Sequence, residues 1–399
     1  MSFRSVPLLL WLFGVAPTAS SLTLHAALEE ARDRAPTLAP ARAQEGVARG
    51  EVALARTFAP LTLSLGGGGN DPRWTVGLTQ RLPFPGARAA RIDAAELALR
   101  GASEERRASE ASVRAEARRA YFTLVRSRRL VDSSQRALML ARESESAATL
   151  LFATGAAPEL DLLQARIARA SADVQVLTCQ GDVTAASAAL ALLLGRAPTE
   201  TLSPLDVAPP ELPSLDAVLA RATGSPVAAA RQADVAAAEA TLRATRRERW
   251  PVPTVGVAVE ADGPGGRSAF LRGALGLELS LPGLGRGETV RAGANLELAR
   301  ARENEALLSR QSELVAAHAR LAAALAGWRR YVAEILPDVE RTERMALEGY
   351  RAGRSPRVAL NAALQVASDT RTRAIEAAFA AQVAFADLEL AAGVPLDES

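Results

Sequence analysis

The chain has 399 residues, of which 49% are hydrophobic and only 4% are aromatic. Its 47 lysine and arginine residues are nearly cancelled by 45 aspartate and glutamate residues, so the formal net charge is only +2. This balance argues against a nucleic-acid-binding surface. The scarcity of aromatic rings favours close-packed helices over one thick globular core.

Residues 1–21 have the organisation of a secretory signal peptide. Arg4 precedes an apolar run from Val6 to Val15, and small residues follow as far as Ser21, after which we predict cleavage. The run is too short to span a bilayer stably as a helix, and no later segment offers about 18 uncharged apolar residues. We therefore predict an exported mature protein without a transmembrane helix.

The rest of the chain consists of two similar halves. The segment Phe152–Pro158 has the pattern aromatic-x-x-Gly-x-x-Pro, and the same pattern recurs in Tyr350–Pro356. Recurrence of several anchors in the same order indicates an internal repeat. We divide the mature chain into a first repeat at 22–195, a proline-rich linker at 196–214, a second repeat at 215–393 and a tail at 394–399.

Each repeat follows one plan, a helix, two strands, a long helix, a tip and a returning helix. Pro60 and Pro251 mark the ends of the entering helices, and alternation of apolar and small or polar residues predicts the strands. The first repeat has these elements at about 24–57, 61–66, 74–82, 88–151, 152–158 and 159–195. The second has them at about 215–249, 252–260, 270–281, 287–350, 350–356 and 357–393.

Two helices carry apolar seams with the alternating three- and four-residue spacing of coiled coils. At 1.5 Å per residue, each long helix would extend for about 95 Å, far beyond a globular helix. The seam of the first returning helix is Leu160, Leu163, Ile167, Ala170, Val174 and Leu177. The seam of the second long helix is Leu314, Ala317, Leu321, Ala324, Trp328, Tyr331 and Ile335.

The strands have one apolar face and one small or polar face. Leu61, Leu63 and Leu65 alternate with Thr62 and Ser64, and the other strands show the same alternation of apolar with small or polar residues. This alternation is typical of an outer-membrane barrel, lipid outside and water inside. Four strands cannot close a barrel, so sister chains must complete it, with a dimer as the minimum and a trimer giving a wider duct.

Over essentially all of its mature length the sequence resembles the TolC-like outer-membrane efflux family. The residues that carry the resemblance are the two tips, at 154–165 and 352–362, and the strand-to-helix joint at 80–88, which looks like that of the heavy-metal branch. The resemblance implies a mainly α fold with a small β-barrel. It further implies a homotrimer with twelve barrel strands in outer-membrane lipid and a periplasmic α-helical barrel.

The family also implies partners. Such ducts dock onto a periplasmic adaptor, or membrane fusion protein, and thereby serve an inner-membrane pump. The resemblance assigns docking to the tip residues Thr154, Gly155, Ala156, Pro158, Gly353, Arg354, Ser355 and Pro356. It thus predicts a passive outer-membrane efflux channel with a large periplasmic portion.

The sequence departs from the family at the second tip. Many members have an acidic pair there that constricts the pore, but the matching positions hold Val358 and Asn361. We therefore expect a selectivity ring to use Asp161 or the pair Arg354 and Arg357. The candidates for a pore constriction are Glu159, Asp161, Arg357 and Asn361.

No pattern in the sequence predicts an enzyme, a metal site or a bound cofactor. His25 and His318 lack neighbouring ligands at metal-binding spacing, and the lone Cys179 reads as a packed helical residue. The alternative function is a soluble periplasmic coiled-coil adaptor or structural protein. Such a protein needs the helices but not the two strand pairs with one apolar face.

Overall fold

The computed structural model describes residues 21–68, 74–82, 86–248, 252–262, 268–278 and 286–396. Several features of the sequence lie outside these residues. They are the predicted signal peptide before Ser21, the joint residues 83–85 and 282–285, the end of the second entering helix at 249–251, the loop at 263–266, the end of the last strand at 279–281, and the end of the tail at 397–399.

The entering helix of each repeat is divided into two. The first consists of α1 (Leu24–Arg34) and α2 (Ala39–Arg56), separated by a 3₁₀ turn at Pro36–Leu38. The second consists of α5 (Leu215–Ala222) and α6 (Pro226–Glu248). The predictions of one helix over 24–57 and one over 215–249 are therefore wrong.

Proline accounts for both breaks. Pro36 and Pro226 lack an amide hydrogen and crowd the preceding turn, so the helix stops before each of them. Ala35 accordingly has the non-helical angles φ −55° and ψ 124°. The starts of α1 and α5 are capped by hydroxyl groups, since Thr23 Oγ1 accepts from Ala26 N over 3.2 Å and Ser214 Oγ from Ala217 N over 3.4 Å.

The first long helix is continuous, whereas the second is interrupted. Helix α3 (Ala87–Ala153) has 67 residues, about 100 Å, and α4 (Glu159–Leu193) returns beside it. The second repeat has α7 (Arg286–Arg330), a π-helical segment (Tyr331–Ile335), α8 (Leu336–Arg351) and the returning α9 (Arg357–Ala392). The interruption directly precedes Pro337, whose missing amide leaves the carbonyl of Ala333 without its helical partner.

The strands of both repeats form one antiparallel sheet. Strands β2 (Thr62–Gly67) and β3 (Trp74–Arg81) form one hairpin, and β5 (Val252–Asp262) and β6 (Ser268–Glu278) form the other. The strand order is β2-β3-β5-β6. Each long helix starts beside its hairpin and ends at its tip. The sheet and the tips therefore lie at opposite ends of the folded molecule.

One apolar core lies midway along α3, where the linker passes beside Ser21 and Leu22. There β1 (Ser21–Leu22) pairs in parallel with β4 (Ser203–Pro204). The buried hydroxyl of Tyr121 lies 2.9 Å from the carbonyl oxygen of Leu22 and 2.7 Å from that of Leu205. Burial raises the pKa of Tyr121, so the neutral phenol remains the hydrogen-bond donor that fixes both segments on α3.

A buried ion pair joins the two repeats near this core. Arg118 of α3 and Glu389 of α9 are 3% and 4% exposed, and Arg118 Nη1 lies 2.7 Å from Glu389 Oε2. The guanidinium also stacks 4.4 Å from the ring centre of Phe385. Glu389 Oε1 accepts a hydrogen bond from the amide of Leu396 over 3.0 Å, which holds the tail against the helices.

We predict that Arg118→Met and Glu389→Leu each lower the free energy of unfolding by about 3–5 kcal/mol, because each removes one member of a buried ion pair. The double variant should lose much less than the sum, since neither charge remains. Denaturant unfolding of the purified protein, followed by helical circular dichroism, gives the double-mutant cycle. Strictly additive losses would contradict the pairing.

Candidate functional site: the tips and the open sheet

The first tip is a glycine-terminated helix reversal. Gly155 follows α3 with φ +71°, and the amide of Ala156 donates to the carbonyl of Leu151 over 2.8 Å. Pro158 has an extended conformation and begins α4. A glycine with positive φ turns the chain so that the following amides donate to the last carbonyls of the helix. Proline then begins the next helix, where its missing amide hydrogen is not needed.

The second tip repeats this geometry. Gly353 has φ +66°, and the amide of Arg354 donates to the carbonyl of Gly349 over 2.9 Å. Pro356 is extended and precedes α9. A Cβ atom placed on Gly155 or Gly353 would meet nothing within 4 Å, so the backbone angle and not crowding requires glycine there.

The structure brings the two tips side by side. Leu151 of α3 packs against a buried cluster of Leu347, Tyr350 and Leu360 from α8 and α9. Arg351 Nη2 lies 2.5 Å from Glu143 Oε2, which adds a charged contact between the repeats. The two reversals therefore form one surface at the end of the molecule.

Most of the predicted docking residues are on that surface. Thr154, Gly155, Ala156, Pro158, Gly353, Arg354 and Pro356 are exposed, and Ser355 is half-buried. Among the candidates for a constriction, Glu159 and Asn361 are exposed and Asp161 is half-buried. Arg357 differs, because its side chain is buried, so it cannot present its charge to a pore in this conformation.

The sheet has the two unlike faces that the alternation predicts. Leu65 pairs with Val76, Val76 with Val259, and Val259 with Leu271, so an apolar row crosses all four strands. Most of this face is exposed, with Leu65 at 74% and Leu271 at 75%. The opposite face carries ion pairs between Arg272 and Glu260 and between Arg81 and Glu278, although Phe270 also lies on it.

The sheet is open at both sides. Within the described residues, β2 and β6 are the outer strands and pair on one side only. An outer strand presents a row of unpaired amides and carbonyls that invites another strand. The single chain therefore has two unfinished sheet edges next to an exposed apolar face.

The seam predicted on the first returning helix is also open. Its large members Leu160, Leu163, Ile167, Val174 and Leu177 are between 45% and 67% exposed on α4. In contrast, Leu314, Ala317 and Leu321 of the second seam are buried against α5 and α9. The first seam lacks the cover that the second receives within the chain.

By length and composition one described helix, α4, could cross a membrane, because an 18-residue window of it has a mean hydropathy of 1.4. Only 33% of that window is buried. One such helix is weak support for a membrane span, since core helices of soluble proteins pass the same test. We interpret the apolar residues of α4 as a packing surface, and the absence of a transmembrane helix stays a prediction.

A groove of about 790 Å³ lies between α3, α4, α8 and α9. Its lining includes Cys179 of α4, Glu343 of α8 and Asn361 of α9. Arg371 Nη1 donates to Glu343 Oε1 over 3.1 Å, so this buried carboxylate is paired. Among the described residues, no group of three or more His, Cys, Asp or Glu side chains is arranged to hold a metal ion.

Residues 27–196 match the family model described as outer membrane efflux protein. The first repeat of the chain is therefore similar to this family. A curated relative is the cobalt-zinc-cadmium resistance protein CzcC of Cupriavidus metallidurans, which is 25% identical over 275 residues. That match covers 67% of this chain and 65% of CzcC, slightly less than two thirds of the relative.

Solved structures of outer-membrane channels share the fold of this chain. The Campylobacter jejuni CmeC outer membrane channel superposes with a TM-score of 0.77 at 15% identity, covering 94% of this chain and 87% of that one. The outer membrane protein VceC of Vibrio cholerae gives a TM-score of 0.75 at 19% identity, covering 94% and 97%. The mainly helical architecture with a small sheet is thereby that of these channels.

We predict that Gly155→Ala and Gly353→Ala each destabilise the protein by about 1–2 kcal/mol, because alanine is strained at positive φ. Gly181 is the matched control. It lies inside α4 with nothing within 4 Å of an added Cβ, so Gly181→Ala should stabilise by about 0.5–1 kcal/mol. Denaturant unfolding measures the three changes, and the same sign for all would contradict the tip geometry.

Proposed function

We propose that the protein is the outer-membrane duct of a tripartite efflux system. In this role it passively carries substrates that an inner-membrane pump delivers through a periplasmic adaptor. The observation that carries the proposal is the four-stranded sheet, which exposes one continuous apolar face and leaves both edges unpaired. In hydrocarbon each unpaired backbone group costs several kcal/mol, so the sheet needs further strands to lie in a membrane.

A homotrimer supplies those strands. Three copies of a four-stranded sheet give the twelve strands that the family resemblance implies, an even number within the range of known outer-membrane barrels. The apolar rows then face lipid, while Glu260, Arg272 and Glu278 face the lumen. The exposed seam of α4 fits the same assembly, because a neighbouring subunit's helices would cover it in a closed helical tube.

Fractionation separates the duct from the alternative, a soluble periplasmic adaptor or structural protein. The duct should leave the cell envelope only with detergent, sediment with outer membranes and run as an oligomer that heat dissociates. A mature protein found as a water-soluble monomer would exclude the duct. The alternative retains no support from the sheet, whose exposed apolar face a soluble protein would have to cover.

The α4 seam gives a sharper test of assembly. We predict that Ile167→Glu reduces the trimer fraction at least tenfold, because it places a charge in an apolar subunit contact. Gln164→Glu adds the same charge to an exposed, already polar position of the same helix and should leave assembly intact. Crosslinking in outer membranes measures both, and an unchanged trimer in Ile167→Glu would remove the seam from the interface.

The tips are the proposed docking surface for the adaptor. They are exposed, lie at the end remote from the sheet, and combine a rigid backbone reversal with free space around each glycine. Glu159, Asp161 and Asn361 are placed nearby, where rings of three could narrow the lower opening. Arg357 joins that set only if the tip rearranges enough to expose it.

We predict that the paired change Gly155→Asp and Gly353→Asp abolishes export while trimers persist, because two charges enter each docking surface. The paired change to asparagine is the control. Both residue types tolerate positive φ and have nearly the same shape, so only the charge differs. Minimum inhibitory concentrations report export and crosslinking reports trimers, and normal export in the aspartate variant would refute docking at the tips.

Divalent transition-metal cations are the proposed substrate class, since CzcC, the curated relative, is described as a cobalt-zinc-cadmium resistance protein. A duct does not need a tight metal site, because conduction requires that an ion also leave. Deletion of the gene should sensitise cells to Co²⁺, Zn²⁺ or Cd²⁺ at least fourfold and leave sensitivity to dyes and detergents unchanged. The reverse pattern would assign the duct to a drug pump.

A further inference from the structure

A buried arginine without a hydrogen-bond partner begins the returning helix of the second repeat. Arg357 is the first residue of α9 and is only 4% exposed. Its Nε, Nη1 and Nη2 atoms are all buried, and none of them has a partner among the residues that the structure describes. Arginine does not lose its proton in proteins, so the position holds a permanent, desolvated positive charge.

The local backbone adds to this charge. The start of a helix carries a partial positive charge, and its first amides have no acceptor within the helix. Pro356 precedes α9 without a side-chain cap, and the first turn of α9 contains no acidic residue. A negative charge would therefore be stabilised both by the amides of Arg357 and Val358 and by the guanidinium of Arg357.

At the first tip, acidic residues of the chain itself compensate the partial positive charge at the start of the helix. Glu159 and Asp161 lie in the first turn of α4, where carboxylates complement the helix start. At the second tip the corresponding turn begins with Arg357, and Arg351 and Arg354 lie nearby on the surface. Glu143 pairs with Arg351, so this contact does not neutralise the buried guanidinium.

We propose that the second tip binds a small monovalent anion, chloride or a short carboxylate such as acetate. The ion lies between the guanidinium of Arg357 and the first amides of α9. Helix starts are a common place for anions in proteins, and a buried arginine supplies the second set of donors. The near-complete burial of Arg357 selects a small ion over a bulky one, and the single charge of the side chain matches a monovalent ion.

Hydrogen exchange of the purified full-length protein in detergent tests the site. Exchange is compared in sodium chloride, sodium acetate and sodium gluconate at equal sodium concentration. Peptides covering 347–361 should exchange about tenfold more slowly when chloride or acetate is present at ten times its dissociation constant. The larger gluconate ion should give no slowing, and peptides covering 150–164 at the first tip should not respond to any salt.

Two substitutions assign the response to the buried side chain. Arg357→Met keeps an unbranched stem without charge, and the dependence on chloride and acetate should disappear. Arg354→Met removes an exposed arginine from the same tip and should keep the wild-type response. Equal exchange of the second tip in all three salts, or a chloride response that survives in Arg357→Met, would overturn the proposal. The wild-type comparison decides the matter even if Arg357→Met folds poorly.

Discussion

A β-sheet with two free edges cannot lie in hydrocarbon alone, because its unpaired amides and carbonyls find no water there. The order β2-β3-β5-β6 leaves the outer strands of this chain in that position. The duplication brings two hairpins into one chain, which is still too few to close a barrel. In the proposed duct, the unpaired strand edges therefore require further copies of the chain, and the long helices follow the symmetry of the strands.

Two buried arginines, Arg118 near the core and Arg357 at the second tip, differ in how their charge is compensated. Arg118 lies beside Glu389 and over the ring of Phe385, so its desolvation is offset by a carboxylate and an aromatic face. Arg357 is equally buried but has no such companions among the described residues. The pair of Arg118 and Glu389 joins one repeat to the other, whereas the charge of Arg357 is the one that we propose an anion neutralises.

The sequence predicted the repeat, the sheet alternation and both tips, because these depend on local rules. Glycine at positive φ and a following proline determine each reversal, and the register of the strands follows their period of two. The breaks at Pro36 and Pro226 follow from the same rules, although the strong helix formers around them favour one continuous helix. The sequence feature that indicates the π-helical segment is Pro337, which lies two residues after its end.

The remaining features depend on contacts between distant segments. Nothing local distinguishes Arg118 or Arg357 from the many arginines that face solvent, although each stands within an apolar helical stripe. The two seams have the same spacing, yet one is buried within the chain and the other is open. Spacing reveals that a face packs, but only the tertiary arrangement shows whether its partner belongs to the same chain.

The unlike charges of the two tips have a geometric consequence for any threefold assembly. Six reversals would form a ring in which Glu159 and Asp161 alternate with Arg354, so neighbouring positions have similar shapes but opposite charges. A ring-shaped partner with complementary charges would meet like charges if it were turned by one position, which is 60° for six tips. In the proposed trimer, the different charges of the duplicated tips would thus reduce six similar positions to three equivalent rotational settings for a docked partner.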